Sequence, residues 1–286
     1  MKKQVVQYAQ LDQLNLCMTF YSQQIFSSAK ATILYLHGGG LLYGNRDDLP
    51  TEVIELFLKN GYNLLTIDYP LAPEVKLPTI YAFLEQAIDW FQANYQKQLK
   101  IKTSDYFLFG RSAGGYLAYL LSARHRCHKQ KGLISFYSYY ELTLPELNQP
   151  SPYYQKFSKV SPLEAQALIR SAPFTAASIN EGFSLYLSGR QFGNWLNYCL
   201  ASIPEKRNFS LTENELLDLP PTFLTHSVAD QDIPVHSSRN AARKIPFATY
   251  KEIEKLPHDF DNNLAHPESL QLYHNVICWM NGVQSL

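Results

Sequence analysis

The stretch Tyr106-Phe107-Leu108-Phe109-Gly110-Arg111-Ser112-Ala113-Gly114-Gly115 decides how this chain reads. An apolar run of strand character, Tyr106–Phe109, enters Gly-x-Ser-x-Gly, and a helical pattern follows over Ser112–Ala123. A strand that turns into a helix within about two residues crowds neighbouring backbone, so glycines at 110 and 114 remove side chains that would collide. Ser112 is thereby pushed clear of the strand. It also lies where unpaired N–H groups and the helix dipole favour a developing negative charge. The bare motif recurs by chance in glycine-containing loops; the strand before it and the helix after it make Ser112 a candidate nucleophile.

Working outward, the same alternation repeats. Residues 4–24 alternate as a strand pair does, and Ala31–Leu36 is a short β-branched apolar run that ends at His37-Gly38-Gly39-Gly40. Pro50–Asn60 carries helical spacing at Val53, Leu56 and Phe57 and stops at Asn60-Gly61. A strand at Asn63–Ile67, a helix over Thr79–Tyr95 and a strand at Gly132–Tyr137 follow. After a gap come the strand Thr222–Ser227, a helix to about Arg243, the strand Ala248–Ile253 and a last helix carrying Leu272, Val276 and Trp279. Strand and helix in turn predict an α/β domain with a mostly parallel sheet.

The rhythm breaks between about Glu141 and Leu217, where proline-bearing, aromatic-rich sequence holds at least two helical stretches. One of them is expected to place Phe192, Trp195, Leu196 and Cys199 on a single face. Such a face packs on the core or lines a lid; its position late in the sheet favours a lid over a substrate pocket. The whole of 1–286 then reads as one domain with 141–217 inserted.

Composition narrows the partners. Lysine plus arginine equal aspartate plus glutamate at 25 each, so no one-signed field draws nucleic acid or anionic lipid. A small, weakly charged molecule fits better. Cys17, Cys127, Cys199 and Cys278 are scattered without Cys-x-x-Cys spacing, which favours reduced thiols. No unbroken apolar run follows Met1-Lys2-Lys3 and no stretch of about 18 apolar residues occurs, so a cytoplasmic protein is expected.

A serine nucleophile needs a base, a carboxylate behind the base and donors for the oxyanion. His37-Gly38-Gly39-Gly40 after a strand offers unobstructed amides, with the N–H of Ala113 as a second arm, and no phosphate-loop signature accompanies it. Of eight histidines, His258 follows the strand Ala248–Ile253 in a loop, and His266, just before Pro267, is its rival. His125, His128 and His274 read as structural, as does His37, which holds the glycine turn. The loop after Thr222–Ser227 offers Asp230 and Asp232; the earlier Asp230 is favoured as the orienting acid, leaving Asp232 to cap the next helix.

With these motifs in place, the chain resembles the α/β-hydrolases, in particular the group similar to hormone-sensitive lipase and bacterial acetyl esterases. His37-Gly38-Gly39-Gly40 is similar to that group's oxyanion motif, which implies Gly39 and Gly40 as donors with Ala113. Asp68-Tyr69-Pro70-Leu71-Ala72-Pro73-Glu74 is similar to its Asp-Tyr-Arg-Leu-Ala-Pro-Glu segment, with Pro70 in place of arginine. Gly110–Gly115 resembles its nucleophile elbow, with Arg111 where many relatives carry an acid, and Asp230 with His258 fits the remaining triad positions in the order Ser, Asp, His. The resemblance implies an α/β-hydrolase fold with a helical cap, and hydrolysis of a short or medium acyl ester without cofactor or metal. An amidase, arylformamidase or peptidase on the same fold is the nearest alternative. A silent small-ligand receptor is the other, but such receptors dispense with the histidine that His258 supplies.

Overall fold

A computed structural model describes residues 1–23, 29–202 and 204–284; residue 24, at the end of the first expected strand pair, lies outside the described residues. Among the described residues, eight strands form one sheet in the order β1-β2-β4-β3-β5-β6-β7-β8. β1 (Lys2–Leu11) and β2 (Leu14–Ser22) form an antiparallel hairpin, and β2 joins β4 (Tyr62–Ile67) antiparallel. From there β3 (Ala31–Leu36), β5 (Tyr106–Arg111), β6 (Gln130–Phe136), β7 (Thr222–Ser227) and β8 (Ala248–Ile253) continue the sheet in parallel.

β3, β4, β5 and β7 are buried along their whole length because both faces are covered, whereas the edge strand β8 is partly exposed. On β3, Leu34 and Leu36 join one core while Ile33 and Tyr35 join the other; on β5, Leu108 opposes Phe107 and Phe109 in the same way. α1 (Thr51–Lys59) and α11 (Pro267–Gln284) pack on the face of Ile33. α2 (Leu77–Asn94), α3 (Ala113–Arg124) and α10 (Val235–Lys244) pack on the other. Every residue from Ala113 to Ala123 is buried, so α3 has no polar face.

Strand order positions the site. From β3 the chain crosses to β4 on one side, then returns past β3 to β5 on the other. A reversal of this kind opens a crevice at the strands' carboxyl ends, between β3 and β5, and both glycine-bearing turns leave from there.

Between β6 and β7 lie α4 (Pro145–Asn148), a 3₁₀ turn at Tyr154–Lys156, α5 (Pro162–Gln166), α6 (Ile179–Phe192), α7 (Trp195–Cys199), α8 (Glu205–Asn208) and α9 (Glu213–Leu217). The single face expected for Phe192, Trp195, Leu196 and Cys199 does not exist as such. Gly193, at φ +68°, ends α6 after Phe192, and a Cβ there would lie 2.7 Å from the Gln149 carbonyl carbon. The chain turns, and Trp195, Leu196 and Cys199 are buried from a separate helix while Phe192 sits half-buried under Lys159.

Candidate functional site

Ser112 stands between β5 and α3 at φ 51°, ψ −121°, a conformation that costs a non-glycine residue on the order of 1–3 kcal/mol. Hydrogen bonds hold it there: its N–H donates to Phe136 O at 2.9 Å, and Ser138 Oγ donates to Ser112 O at 2.7 Å. At about 1 kcal/mol each, two such bonds offset most of the strain. The glycines around it are steric necessities. A Cβ on Gly110 would sit 2.2 Å from Gly114 O, and one on Gly114 would sit 2.2 Å from Leu36 O.

His258 reaches the serine from the loop after β8. Its Nε2 lies 3.0 Å from Ser112 Oγ and its Nδ1 2.7 Å from Asp230 Oδ2. A carboxylate only accepts, so Nδ1 carries the hydrogen and Nε2 is left bare toward the serine hydroxyl. The loop is pinned where Ser227 Oγ donates to Leu256 O at 2.5 Å, and the Tyr137 ring packs edge-on against the imidazole at 4.6 Å.

The carboxylate of Asp230, in the loop after β7, is buried, accepts three hydrogen bonds and faces a fourth N–H group among the described residues. Oδ1 accepts from the amides of Asp232 and Ile233 at 2.8 and 2.9 Å; Oδ2 faces His258 and, at 3.1 Å, Nε2 of His226. Burial alone would raise this carboxyl's pKa, but the charge of His258 and the two imidazole bonds prevail and hold it well below the usual carboxylate range. Burial likewise works against the charged form of His258, and the carboxylates of Asp230, Asp259 and Asp232 overcome it, so its pKa is raised.

Asp232 does not cap α10. Its carboxylate accepts from Tyr186 Oη at 2.7 and 2.9 Å and pairs with Arg190 at 3.4 Å, and the Arg190 guanidinium also donates to Asp232 O at 2.8 Å. It comes only within 3.9 Å of His258, on the Nε2 side. The loop thus faces its two acids in opposite directions, one to the imidazole and one to α6.

Gly39 and Gly40 have φ of +97° and +59°, and among the described residues their amides donate to no backbone carbonyl. The Ala113 N–H, first in its helix, has no intrahelical partner. His37 is fully buried, stacked on Tyr69 at 4.3 Å, with Nδ1 donating to Gly38 O at 2.8 Å and Tyr69 Oη donating to His37 O at 2.8 Å. Over the turn, Trp195 Nε1 donates to Gly40 O at 2.9 Å, and the Tyr186 ring lies 2.5 Å from where a Cβ on Gly40 would stand. Ser112 is only 6% exposed beneath this cover.

The two departures at Pro70 and Arg111 have structural answers. Asp68 finds its cation in Arg46, which also donates from Nε to Thr19 Oγ1 at 2.7 Å. Arg111 points away from the nucleophile and is consumed by Asp48 at 2.6 Å, Asp261 at 3.1 Å, Tyr35 Oη at 2.7 Å and Asn262. Its charge is neutralised behind the site. His266 instead lies at the start of α11, with Nδ1 buried and unpartnered among the described residues.

His226 is the residue sequence reading missed. Its only local signal is the spacing of four to Asp230, and a histidine inside a buried strand gives no hint that it turns toward the following loop. Among the described residues no group of three or more metal-ligating side chains occurs, and no helix is long and apolar enough to cross a membrane. Among the described residues, cavities flank the site, one of about 490 Å³ bounded by Glu146, Tyr153, Arg190 and the 230–234 loop and another of about 200 Å³ bounded by Gly38, Gly39, Tyr43 and Asp259.

A family model described as alpha/beta hydrolase fold matches residues 33–262. An esterase of Acinetobacter venetianus is 33% identical over 129 residues, 43% of this chain and 40% of that protein. The alignments span between 6% and 40% of the lengths of five curated relatives, so the chain corresponds to less than half of any of them. Among solved structures, a Staphylococcus aureus protein described as of unknown function has a TM-score of 0.86 at 27% identity, covering 98% of this chain and 99% of its own. An alpha/beta hydrolase superfamily protein of Enterococcus faecalis has a TM-score of 0.82 at 28% identity, covering 98% of each chain.

Proposed function

The chain belongs to the alpha/beta hydrolase fold family, and on that premise we propose that it is a cytoplasmic serine hydrolase cleaving short- or medium-chain carboxylic esters through an acyl-enzyme. The observation that carries this reading is the relay from Ser112 Oγ to His258 Nε2 at 3.0 Å and from His258 Nδ1 to Asp230 at 2.7 Å.

Ser112 Oγ attacks the ester carbonyl as its proton passes to His258 Nε2, and Asp230 stays ionised to balance the imidazolium. The carbonyl electron pair moves onto oxygen, where the amides of Gly39, Gly40 and Ala113 receive it; each preorganised donor of this kind is worth about 3–4 kcal/mol in the transition state. The pair then returns, the carbon–oxygen bond to the alcohol breaks, and His258 hands its proton to the leaving alkoxide. Water repeats the sequence on the acyl-enzyme, giving the acid and restoring Ser112. Residues 141–217 act as the cap, their Tyr186 and Trp195 roofing the glycine turn. The small cavity beside Gly39, about 200 Å³, favours short groups there.

Turnover of p-nitrophenyl acetate and butyrate by the wild type and Ser112→Ala tests the reading. Loss of at least about ten-thousand-fold in kcat is expected for the variant; equal rates sink the proposal. A parallel aryl-formamide panel sets ester against amide preference.

A further inference from the structure

The orienting aspartate has an imidazole on each side. His226 Nε2 lies 3.1 Å from Asp230 Oδ2 and 3.0 Å from Ile233 O, and its Nδ1 lies 2.7 Å from Ser238 Oγ. Both neighbours of Nε2 only accept, so that nitrogen carries one hydrogen, bonded to Ile233 O and within ion-pair distance of Asp230 Oδ2; in the neutral ring Nδ1 is bare and the Ser238 hydroxyl donates to it. The polar chain therefore runs Ser112, His258, Asp230, His226, Ser238, a serine–histidine couple mirrored across one carboxylate. The second couple is closed to solvent, with His226 at 0% and Ser238 at 2% exposure, so no substrate reaches it.

We propose that His226 is a positioning residue for the Ser112 chemistry, which shares its Nε2 hydrogen between Ile233 O and Asp230 Oδ2 and so fixes the carboxylate's rotation and limits how strongly it holds a proton on His258. The inference rests on the role proposed above for Asp230 and His258. A hydrogen bond to an ionised carboxylate stabilises the anion and makes it a weaker partner for any other proton it faces. Among the described residues, Oδ2 is faced by the two rings and Oδ1 by backbone amides, so His226 competes with His258 for the same oxygen. The surrounding charges are Asp232 and Asp259 beside His258, and Glu252 of β8, register partner of His226, which is paired with Arg239 of α10.

The experiment is an NMR titration of ¹³C-labelled histidine in the whole protein, with the His258 signal assigned by its loss in His258→Gln. In His226→Leu, which removes the donor, the His258 midpoint should move upward by roughly half a pH unit or more. In His226→Gln, whose amide donates from the place of Nε2, it should stay near the wild-type value. A parallel kinetic readout on p-nitrophenyl acetate should show kcat reduced roughly ten-fold at neutral pH in His226→Leu with KM unchanged, and rescued in His226→Gln. Thermal melts establish that each variant folds; should His226→Leu not fold, His226→Asn, whose shorter amide reaches the Ser238 side, takes its place. An unmoved His258 midpoint in the folded donor-less variant overturns the inference, as does a shift in His226→Gln equal to that in His226→Leu. The titration needs no substrate, so a wild type inactive on esters and amides would remove the proposed function without deciding this point.

Discussion

The floor and the roof of the site are held by different physics. The floor, formed by the turns after β3 and β5, is fixed by backbone: glycines at 39, 40, 110 and 114 pass where a side chain would collide, and Ser112 is held by main-chain bonds. The roof, formed by α6 and α7, adds to the packing of Leu185, Leu187, Leu196 and Cys199 a set of polar side-chain contacts, with Tyr186 and Arg190 gripping Asp232 and Trp195 gripping Gly40. Substitution at Gly39, Gly110 or Gly114 brings a side chain against backbone, while the roof's polar contacts can be removed one side chain at a time. The 230–232 loop joins the two, since one aspartate serves each side.

Separating those two aspartates is the sharpest way to break the comparison. Asp230→Asn should cut kcat by about ten-thousand-fold, because an amide facing Nδ1 favours the wrong imidazole tautomer. Asp232→Asn should leave kcat within roughly ten-fold, as that carboxylate comes only within 3.9 Å of the ring. Equal losses in steady-state kinetics would dissolve the division between floor and roof.

Tyr186→Phe tests the roof alone. It removes a hydroxyl bonded to a buried carboxylate and should lower stability by about 2 kcal/mol in urea denaturation. The floor should be untouched, so labelling of Ser112 by a fluorophosphonate should proceed at least as fast as in the wild type.

The smallest effect concerns pH. Nε2 accepts a proton only when the imidazole is neutral, and the carboxylates of Asp230, Asp259 and Asp232 outweigh burial and favour the cation. The rate constant kcat/KM should therefore rise with pH through an inflection above the ordinary histidine value of about 6.5. In Asp259→Asn one of the raising charges is gone, and the inflection should move to lower pH, with a higher relative rate in mild acid. An upward displacement would show that Asp259 does not act on the ring as a charge.

The alternation of apolar runs and helical spacing gave the sheet and its parallel character, because fully buried strands and amphipathic helices write their periods into the chain. Boundaries moved by one to two residues, as with Leu77–Asn94 where Thr79–Tyr95 is expected. The region between β6 and β7 is legible as an interruption holding at least two helical stretches, but not in its detail. Its helices are mostly four or five residues long, too short for a period to show, and Gly193 divides a face that looks continuous in sequence.

The chain by itself determined the strand–turn–helix at Ser112, the glycine turn after β3 and the order in which the motifs follow one another. These are local demands, in which the backbone must bend within a few residues and only particular side chains allow it. The sequence favours Asp230 over Asp232 as the partner of His258; tertiary structure decided that those two meet while Asp232 turns to Tyr186, that Arg46 answers Asp68, that Arg111 is neutralised by Asp48 and Asp261, and that His226 stands behind the acid. Most of those partners are twenty to a hundred and fifty residues apart, and even His226 and Asp230, four apart, meet only because β7 ends between them. Hydrogen bonds and ion pairs of this kind depend on where side chains arrive in space, which no local period records.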